Sequence, residues 1–383
     1  MSGNLNYDVL IVLDYYLPGR KAGGPVTTVA NMMEALGDDL KFLIVTRRHD
    51  IDGTVYSDLE PGRIARMGKA DVLYLDGTQQ SNLDLLQYAR LSGARTLYLN
   101  SFFSPLSLRF LLMKRLGLLK MNVVLAPRGE FSAAAYALKG PKKRIYRYLV
   151  DRLGLLNGIR WQVSSEHEEA ELRRVLGLRE DVMIAPDLFA AQDVPTGTHE
   201  GGLVFISRIS PKKNLHYALD CLQHVELPVS LDIYGPLEDS VYWAACQAQI
   251  RRLPSHITVR YCGTLEYDQV QATFSRYAAF LFPTLGENYG HVIPEALSAG
   301  TPVILSDRTP WQDLEEAGVG WVRSLDQPHT YVEAIQDAVL GTPEQRQERA
   351  LRCAAYARAV RTDPEIHPKN LKLFTQPFRR GMP

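Results

Sequence analysis

The segment GENYGHVIPEALSAGTPV, residues 286–303, connects two short apolar runs that read as buried strands, Ala278–Phe282 and Pro302–Leu305. Pro294 has no amide hydrogen and is tolerated in a helix only within the first turn. A helix is therefore predicted to begin at about Gly290 or His291. A strand, a loop, a helix and a second strand in this order are typical of a parallel sheet covered by helices.

The same alternation recurs along the whole chain and predicts an α/β protein with two doubly wound halves. Around residues 184–202 the periodicity lapses and Pro, Gly and Thr accumulate, which is typical of a linker. We predict a Rossmann-like domain at 1–185, a linker at 186–201 and a second Rossmann-like domain at 202–360. A tail at 361–383 is predicted to pack back on the first domain.

Composition limits the class of protein. The 383 residues are 46% hydrophobic and 22% charged, with a formal net charge of zero, as in an ordinary globular protein, and the length favours two domains. A neutral chain gives no electrostatic argument for a nucleic-acid partner. The four cysteines lack CxxC spacing and predict reduced thiols, and no signal peptide or spanning run is evident. We therefore expect a cytoplasmic protein.

The loop and helix of 286–303 suit an anion flanked by hydroxyl groups. Backbone amides near His291 and Val292 lie at the predicted start of the helix, where unpaired N–H groups favour phosphate. Glu295 falls about 6 Å further along the helix axis, which suits a ribose. Glu287 lies on the loop side, where a sugar beyond a diphosphate would be. The two acids thus match the two ends of a nucleotide sugar.

Two further loops follow predicted strands. In Ser207–Asn214, Arg208 and Lys213 are suited to neutralise a diphosphate without a metal ion. In the first half, the pair Gly23–Gly24 allows the backbone to approach a ligand closely, but the spacing is not GxGxxG and no acid follows the second strand. Asp50-Ile51-Asp52 is interpreted as a surface turn, and no metal site is predicted.

Together these pieces resemble the retaining GT-B glycosyltransferases of family four over nearly the whole chain. The resemblance rests on Gly23–Gly24, on Arg208–Asn214, on Leu231–Gly235 and, above all, on Glu287–Val303, with its second Glu eight residues after the first and the following Gly-Thr-Pro-Val. It implies two facing Rossmann-like domains with a cleft between them. The first would bind the acceptor and the second a nucleotide sugar.

The resemblance also implies a set of site residues. Glu287, Arg208 and Lys213 would act in catalysis, without a cofactor other than a UDP- or GDP-linked donor as cosubstrate. The remaining donor contacts would come from Gly23, Gly24, Asn288, Tyr289, Gly290, His291, Val292, Glu295, Thr264 and Leu265. Many relatives place a histidine after the strand that matches Val123–Ala126. Here the chain has Arg128 and Glu130, which become candidates on the acceptor side.

The resemblance implies transfer of a hexose-type sugar to a saccharide or lipid-linked hydroxyl, in the assembly of cell-surface glycans. Two alternatives stay open: an epimerase of the same fold, and a binding module without activity. Turnover of the donor alone would distinguish the epimerase from the transferase.

Residues 105–156 carry eleven basic residues and two acids, a net charge of +9, interleaved with apolar residues. Such a stretch is typical of a helix lying on an anionic membrane surface. The alternative is a helix that packs its leucines on the sheet and leaves its lysines in water. The first interpretation predicts peripheral attachment at the inner face of the cytoplasmic membrane.

Overall fold

The structure, a computed structural model, describes residues 5–137, 140–177, 179, 181–189 and 201–378. The chain divides into two compact units, and each contains one sheet. Unit 1 comprises 5–189 and 363–378, and unit 2 comprises 201–362. The predicted linker at 186–201 lies largely outside the described residues, but residues 186–189 are part of unit 1.

Unit 1 contains an eight-stranded sheet. Its strands are β1 Val9–Val12, β2 Phe42–Arg47, β3 Ile64–Met67, β4 Ala70–Leu75, β5 Thr96–Asn100, β6 Asn122–Ala126, β7 Ile159–Val163 and β8 Val182–Ile184. Its helices are α1 Gly24–Leu36, α2 Asn82–Ser92, α3 Pro105–Arg115, α4 Ala133–Ala137, α5 Gly140–Arg152 and α6 Glu166–Leu176. The strand order is β3-β4-β2-β1-β5-β6-β7-β8, and all described pairings are parallel except that of β3 with β4.

Successive strand residues point to opposite faces of this sheet, and helices cover both faces, so that both are buried. Leu10 and Val12 of β1 belong to the core beneath α2, α3 and α6. Val9 and Ile11 belong to the core on the other face, beneath α1. The continuous apolar runs in the sequence reflect this two-sided burial.

The C-terminal segment completes the second of these cores. Helix α13, Ile366–Thr375, contributes Leu373, which is fully buried beside α1. Arg160 of β7 is also buried and donates hydrogen bonds to the carbonyls of Leu373, Gln376 and Pro377 at 2.8–3.1 Å. A strand arginine thus satisfies carbonyls at the end of a helix some 210 residues later in the chain.

Unit 2 contains a six-stranded sheet. Its strands are β9 Leu203–Ile206, β10 Val229–Tyr234, β11 Ile257–Tyr261, β12 Ala279–Phe282, β13 Val303–Ser306 and β14 Gly320–Arg323. Its helices are α7 Leu215–Leu222, α8 Ser240–Ile250, α9 Val270–Phe274, α10 Val292–Ser298, α11 Pro328–Leu340 and α12 Pro343–Arg361. The described pairings are all parallel, in the order β11-β10-β9-β12-β13-β14.

The loops after β9 and β10 approach each other closely at a glycine. Gly235 has φ +136°, and a Cβ atom there would lie 1.8 Å from the carbonyl oxygen of Ser207. The amide of Ile209 donates to the carbonyl of Pro236 at 2.9 Å, which fixes the two loops side by side. Only glycine fits between these backbones.

Gly235→Ala is therefore expected to lower the free energy of unfolding of unit 2 by about 3 kcal/mol, since strain and overlap act together. The control is Gly263→Ala, which also has positive φ (+85°) but has no atom within 4 Å of the added Cβ. Strain alone is expected to cost about 1–2 kcal/mol there. Urea unfolding of both variants measures the difference, and equal losses would contradict the steric argument.

Two parallel-sheet units confirm the predicted fold class. The predicted strands Ala278–Phe282 and Pro302–Leu305 agree with β12 and β13 to within one residue at each end, and α10 begins one residue after His291. No helix among the described residues is long and apolar enough to cross a bilayer.

Candidate functional site

The strand order of unit 2 reverses between β9 and β12, because β10 and β11 extend to one side of β9 while β12, β13 and β14 extend to the other. In open α/β sheets, ligands bind at such a reversal, beyond the carboxyl ends of the strands. The loop after β9 carries Arg208 and Lys213, and the loop after β12 carries Glu287. The two predicted motifs therefore meet at the switch point.

Lys213 and Glu287 form a close ion pair across this point. The Nζ atom of Lys213 lies 2.6 Å from Oε1 of Glu287, and the two side chains are 13% and 10% exposed. The ammonium group also lies 5.3 Å from the centre of the Phe282 ring. Thr284 donates a hydrogen bond to the same carboxylate oxygen at 2.9 Å. The Phe282 ring next to Lys213 and the hydrogen bond from Thr284 to Glu287 thus hold the pair in a defined orientation.

Hydrogen bonds join the two loops that carry the pair. Asn214 donates from its side-chain amide to the carbonyl of Pro283 at 2.9 Å. The amide of Leu285 donates to the carbonyl of Lys212 at 2.9 Å, and Oγ1 of Thr284 lies 3.2 Å from the same carbonyl oxygen. Asn214 adopts φ +60°, which asparagine tolerates better than most residues. The positions of the two charges therefore follow from the backbone.

The electrostatic balance favours an ionised Glu287. Burial raises the pKa of a carboxyl group, but the nearby charges of Lys213 and Lys212 and the hydrogen bond from Thr284 outweigh it. The pKa of Glu287 consequently lies below its ordinary value. The site thus holds a buried carboxylate and a buried ammonium group, each able to bind a polar group of a ligand.

The segment after Glu287 is fixed by an aromatic cluster. The ring of Tyr289 packs on Trp311 and His291, with centroids 5.4 and 5.0 Å apart. Nε1 of Trp311 donates to the carbonyl of Tyr289 at 2.6 Å. Gly290 follows with φ +76°, a conformation that favours glycine. This turn delivers the chain into α10, whose first turn contains Glu295.

Residues 192–360 match the protein family described as glycosyl transferases group 1. The segment covers the described part of unit 2 up to residue 360, and so contains both loops and α10. A curated relative, the O-antigen chain mannosyltransferase B of Escherichia coli, is 27% identical over 116 residues, which span 29% of this chain and 29% of that protein.

Solved structures show the likeness of the whole fold. Sucrose-phosphate synthase from Thermosynechococcus elongatus matches with a TM-score of 0.71 and 15% identity, over 97% of this chain and 99% of the other. Anabaena Alr3699/HepE, solved in complex with UDP and glucose, matches with a TM-score of 0.69 and 15% identity, over 96% and 98%. The predicted GT-B fold is confirmed by these neighbours.

Arg208 of the group 1 domain lies apart from the buried pair. Its guanidinium donates to Glu238 at 3.0 Å, and both side chains are exposed, at 39% and 47%. Glu238 follows β10, so the two residues join neighbouring loops at the carboxyl edge of the sheet. An exposed ion pair of this kind is weak and exchanges partners readily.

The other predicted donor residues of the group 1 domain spread along the same edge. Thr264 is exposed and Leu265 half-buried in the loop after β11, two strands from β9 and so about 10 Å away at ordinary strand spacing. Asn288, His291, Val292 and Glu295 are half-buried around the start of α10, which has only seven residues. The structure thus brings the predicted residues to one edge, where Lys213 pairs with Glu287 and the ring of Tyr289 packs on His291.

In unit 1, Gly23 and Gly24 follow β1 and begin α1 beside the reversal between β1 and β5. Gly23 has φ +78°, and a Cβ at Gly24 would meet no atom within 4 Å. The interpretation of Asp50-Ile51-Asp52 as a surface turn is wrong for Asp50, which is 3% exposed. Its carboxylate accepts from the amide of Lys21, and Asp52 pairs with the ammonium group of the same lysine at 2.6 Å.

Asp50 and Asp52 both contact Lys21, which lies just before Gly23 and Gly24. The two aspartates therefore hold the loop that contains these glycines. Among the described residues, no group of three or more His, Cys, Asp or Glu side chains is arranged to hold a metal ion.

Arg128, predicted on the acceptor side, is buried with a 6% exposed side chain. It pairs with Asp187 at 2.7 Å and donates to Asn100 and to the hydroxyl of Tyr98. Asp187 also accepts from Thr28 of α1 at 3.0 Å. All three guanidinium nitrogens therefore have partners within unit 1, and the arrangement favours a structural role over an acceptor contact.

Glu130 is likewise engaged within unit 1. Its carboxylate accepts hydrogen bonds from Ser101 Oγ and the Phe102 amide, both at 2.6 Å, and from the Phe103 amide at 3.3 Å. Burial raises the pKa of Glu130 to about 7, against the lowering effect of these bonds. The residue fixes the loop after β5, where Ser101 has φ +85°.

Sequence reasoning missed three residues that shape the site. Thr284 orients Glu287, Trp311 holds the turn at Tyr289, and Glu238 pairs with Arg208. Thr284 could have been found, since it stands three residues before Glu287 in the same loop. Trp311 and Glu238 lie in other loops of the edge, and spacing alone gave no signal for them.

Proposed function

We propose that the chain is a retaining, metal-independent glycosyltransferase that moves a hexose-type sugar from a nucleotide-sugar donor to a hydroxyl group. The observation that carries this proposal is the buried Lys213–Glu287 pair at the switch point of a group 1 domain. A buried pair of opposite charge is costly to maintain without a use for it. A diphosphate and a sugar hydroxyl are the natural ligands of its two members.

In this proposal, Lys213 stabilises the negative charge that develops on the departing diphosphate. Arg208 supports it by exchanging Glu238 for a phosphate oxygen, which an exposed pair allows at small cost. Charge stabilisation at the leaving group is often the largest single contribution to rate. The acceptor hydroxyl then attacks the same face of the sugar and gives its proton to the departing phosphate.

Glu287 accepts hydrogen bonds from the donor sugar, and its low pKa keeps it in the accepting form at neutral pH. Glu295, in the first turn of α10, takes the ribose hydroxyls, while Thr264 and Leu265 border the base. The amides of His291 and Val292 lie between the two acids in the chain and take the phosphates.

A UDP- or GDP-linked donor fits the relatives. Anabaena Alr3699/HepE was solved with UDP and glucose, and the curated relative is an O-antigen chain mannosyltransferase. These likenesses support a saccharide or lipid-linked acceptor and a role in cell-surface glycan assembly.

A thermal-shift screen with UDP, GDP and dTDP tests the proposal. One nucleotide, added at one hundred times its Kd, is expected to stabilise the native state by about 2.7 kcal/mol. Lys213→Ala is expected to remove most of that stabilisation, because the diphosphate loses its buried cation. If none of the three stabilises the wild-type chain, the nucleotide-sugar proposal fails. Donor turnover without any acceptor would indicate the epimerase instead.

We also propose that unit 1 docks on an anionic membrane surface through α5. Helix α3 buries Leu106, Phe110 and Leu111 in the core, as the packing alternative predicted. Helix α5 differs, because Val150 is its one buried residue among those described. It exposes an apolar stripe at helical spacing: Ile145 62%, Tyr148 60%, Leu149 51% and, just beyond its end, Leu153 53%.

Basic residues border this stripe, which we call the α5 stripe. Lys142, Arg144 and Arg152 are exposed on the same helix, and Arg115 at the end of α3 donates to the carbonyl of Leu153 at 3.0 Å. Lys143 does not belong to this rim, since its ammonium group donates to the carbonyl of Ala135. Lys139, also counted in the basic stretch, lies outside the described residues. Apolar side chains rimmed by cations match an anionic bilayer.

Leu149→Ser is expected to weaken binding to vesicles that contain phosphatidylglycerol by about ten-fold, since inserting a leucine contributes about 1.5–3 kcal/mol. The matched control is Leu351→Ser in α12, where the leucine is 55% exposed and remote in sequence from the stripe. Co-sedimentation measures both, and binding should weaken as salt rises. Equal losses, or binding insensitive to salt, would contradict the docking proposal.

A further inference from the structure

A second basic site lies in unit 1, outside the group 1 domain. A cavity of about 360 Å³ opens between α4, α5 and the end of α6. Three arginines, Arg144, Arg147 and Arg174, line it together with Tyr136 and small or apolar residues. Its size falls within the range of small-molecule sites, about 300–1,000 Å³.

Two of the arginines are held in place by backbone carbonyls. Arg147 donates from Nη1 to the carbonyl of Val175 at 2.6 Å, and Arg174 donates from Nη2 to the carbonyl of Phe131 at 3.0 Å. Each uses one nitrogen in this way and keeps others for a ligand. Arg144 is exposed, and no described residue accepts a hydrogen bond from it. The cavity thus has two fixed cations and one mobile cation.

The charge of this cavity is not balanced by the described chain. Its lining contains no carboxylate, and no described Asp or Glu forms an ion pair with any of the three arginines. The nearest acids in sequence are engaged elsewhere: Asp151 pairs with Arg179 at 3.0 Å, Glu169 pairs with Arg173, and Glu171 lies 3.5 Å from Nε2 of His167. Three arginines around one concave space repel one another unless an anion joins them.

We propose that this cavity binds a phosphate ester. Guanidinium groups bind phosphate through paired, charge-assisted hydrogen bonds, and three of them suit a tetrahedral group with several acceptor oxygens. The alanine and tyrosine lining provides contacts for the organic part of the ester. The ester comes either from a soluble sugar phosphate or from a lipid headgroup, since Arg144 and Arg147 lie on the same helix as the α5 stripe.

The test compares Arg144→Gln with Arg152→Gln. Both variants remove one exposed arginine from α5, but Arg152 does not line the cavity. Calorimetric titration with glycerol 1-phosphate covers the soluble source. Co-sedimentation with phosphatidylcholine vesicles, with and without phosphatidic acid, covers the lipid source. Neither arginine has a described side-chain partner, so both variants are expected to fold, and thermal unfolding checks this.

Arg144→Gln is expected to weaken glycerol 1-phosphate binding about ten-fold, as loss of a charge-assisted hydrogen bond implies, while Arg152→Gln leaves it within about two-fold. On phosphatidic acid vesicles both variants lose one rim charge of the α5 stripe, and Arg144→Gln is expected to bind about ten-fold more weakly than Arg152→Gln. A loss seen in solution assigns a soluble ester, and a loss seen only with phosphatidic acid assigns a lipid. Equal behaviour of the two variants in both arms overturns the proposal. So does loss of glycerol phosphate binding in Lys213→Ala alone, which would place the probe in unit 2. Failure of UDP or GDP to bind leaves this cavity unaffected, because it concerns a different unit.

Discussion

Replacing Lys213 by alanine is expected to lower kcat by about 30- to 1,000-fold, which corresponds to about 2–4 kcal/mol of lost transition-state stabilisation. The ammonium group is buried 2.6 Å from Glu287 and next to the loop that joins β12 to α10. Lys213 also donates a hydrogen bond to that carboxylate, as well as carrying the opposite charge. Steady-state kinetics with the nucleotide sugar found in the nucleotide screen measures the loss.

Lys212→Ala is the matched control, since it removes the adjacent lysine while leaving the buried ion pair. Its effect on kcat is expected to stay below about five-fold, because Lys213, the partner of Glu287 at 2.6 Å, is retained. The Lys213 variant leaves a carboxylate buried without its cation, so the pKa of Glu287 is expected to rise. Amide hydrogen exchange of unit 2 distinguishes a folded variant from an unfolded one. Near-normal turnover in a folded Lys213→Ala protein would contradict the assignment.

Arg208→Ala separates catalysis from folding more cleanly. Its ion pair with Glu238 is exposed and contributes at most about 1 kcal/mol to stability. A strong loss of kcat in this variant, with unchanged unfolding, would therefore report contact with the substrate. Loss of activity only in Lys213→Ala would restrict leaving-group stabilisation to the buried lysine.

Arg128→Met is expected to lower the free energy of unfolding of unit 1 by about 3–5 kcal/mol, because it leaves Asp187 buried without its cation. Asp187 is 3% exposed, and it links the loop after β6 to α1 through Thr28. The amides of β6 are expected to exchange faster with deuterium, by a factor that corresponds to the loss in the free energy of unfolding. Hydrogen exchange read by mass spectrometry measures this locally, without assuming that the two units unfold together.

A double-mutant cycle with Asp187→Asn is the control for Arg128→Met. The double variant is expected to be more stable than the sum of the single losses implies, because the uncompensated charge is gone. An Arg128→Met protein of normal stability with a raised KM for the acceptor would contradict the structural role. That result would instead support the contact between Arg128 and the acceptor that the sequence suggested.

The strands and the donor-side loops were predictable because their signals are local. Apolar runs gave β12 and β13 to within one residue at each end, and the position of Pro294 limited where α10 begins. The meeting of Lys213 with Glu287 followed from a general rule, that the loops after parallel strands lie at one edge. These inferences needed only spacing along the chain.

Partner choice was not predictable, because it depends on residues far apart in sequence. The side chain of Arg128 looked available until Asp187, 59 residues later, was seen beside it. From the sequence, Arg208 was expected to act together with Lys213 on a diphosphate. In the structure, its guanidinium donates instead to Glu238 in the neighbouring loop. Helix α13 was not predicted, because Pro368 suggests a break in a helix. In the structure this proline lies in the first turn, where it is tolerated.

The α5 stripe was only partly predictable, for a similar reason. Composition alone marked 105–156 as basic and apolar, which fits either a buried or an exposed helix. The structure separates the two: α3 buries Leu106 and Leu111, and α5 exposes Ile145, Tyr148 and Leu149. Which face of a helix meets the sheet depends on the packing of the whole unit.

A crystal structure of the chain with bound UDP or GDP tests the central claim most directly. The account predicts the diphosphate within hydrogen-bond distance of Lys213 Nζ, in front of α10, with the ribose at Glu295. Phosphates bound elsewhere in unit 2, or density for the nucleotide only in unit 1, would contradict it.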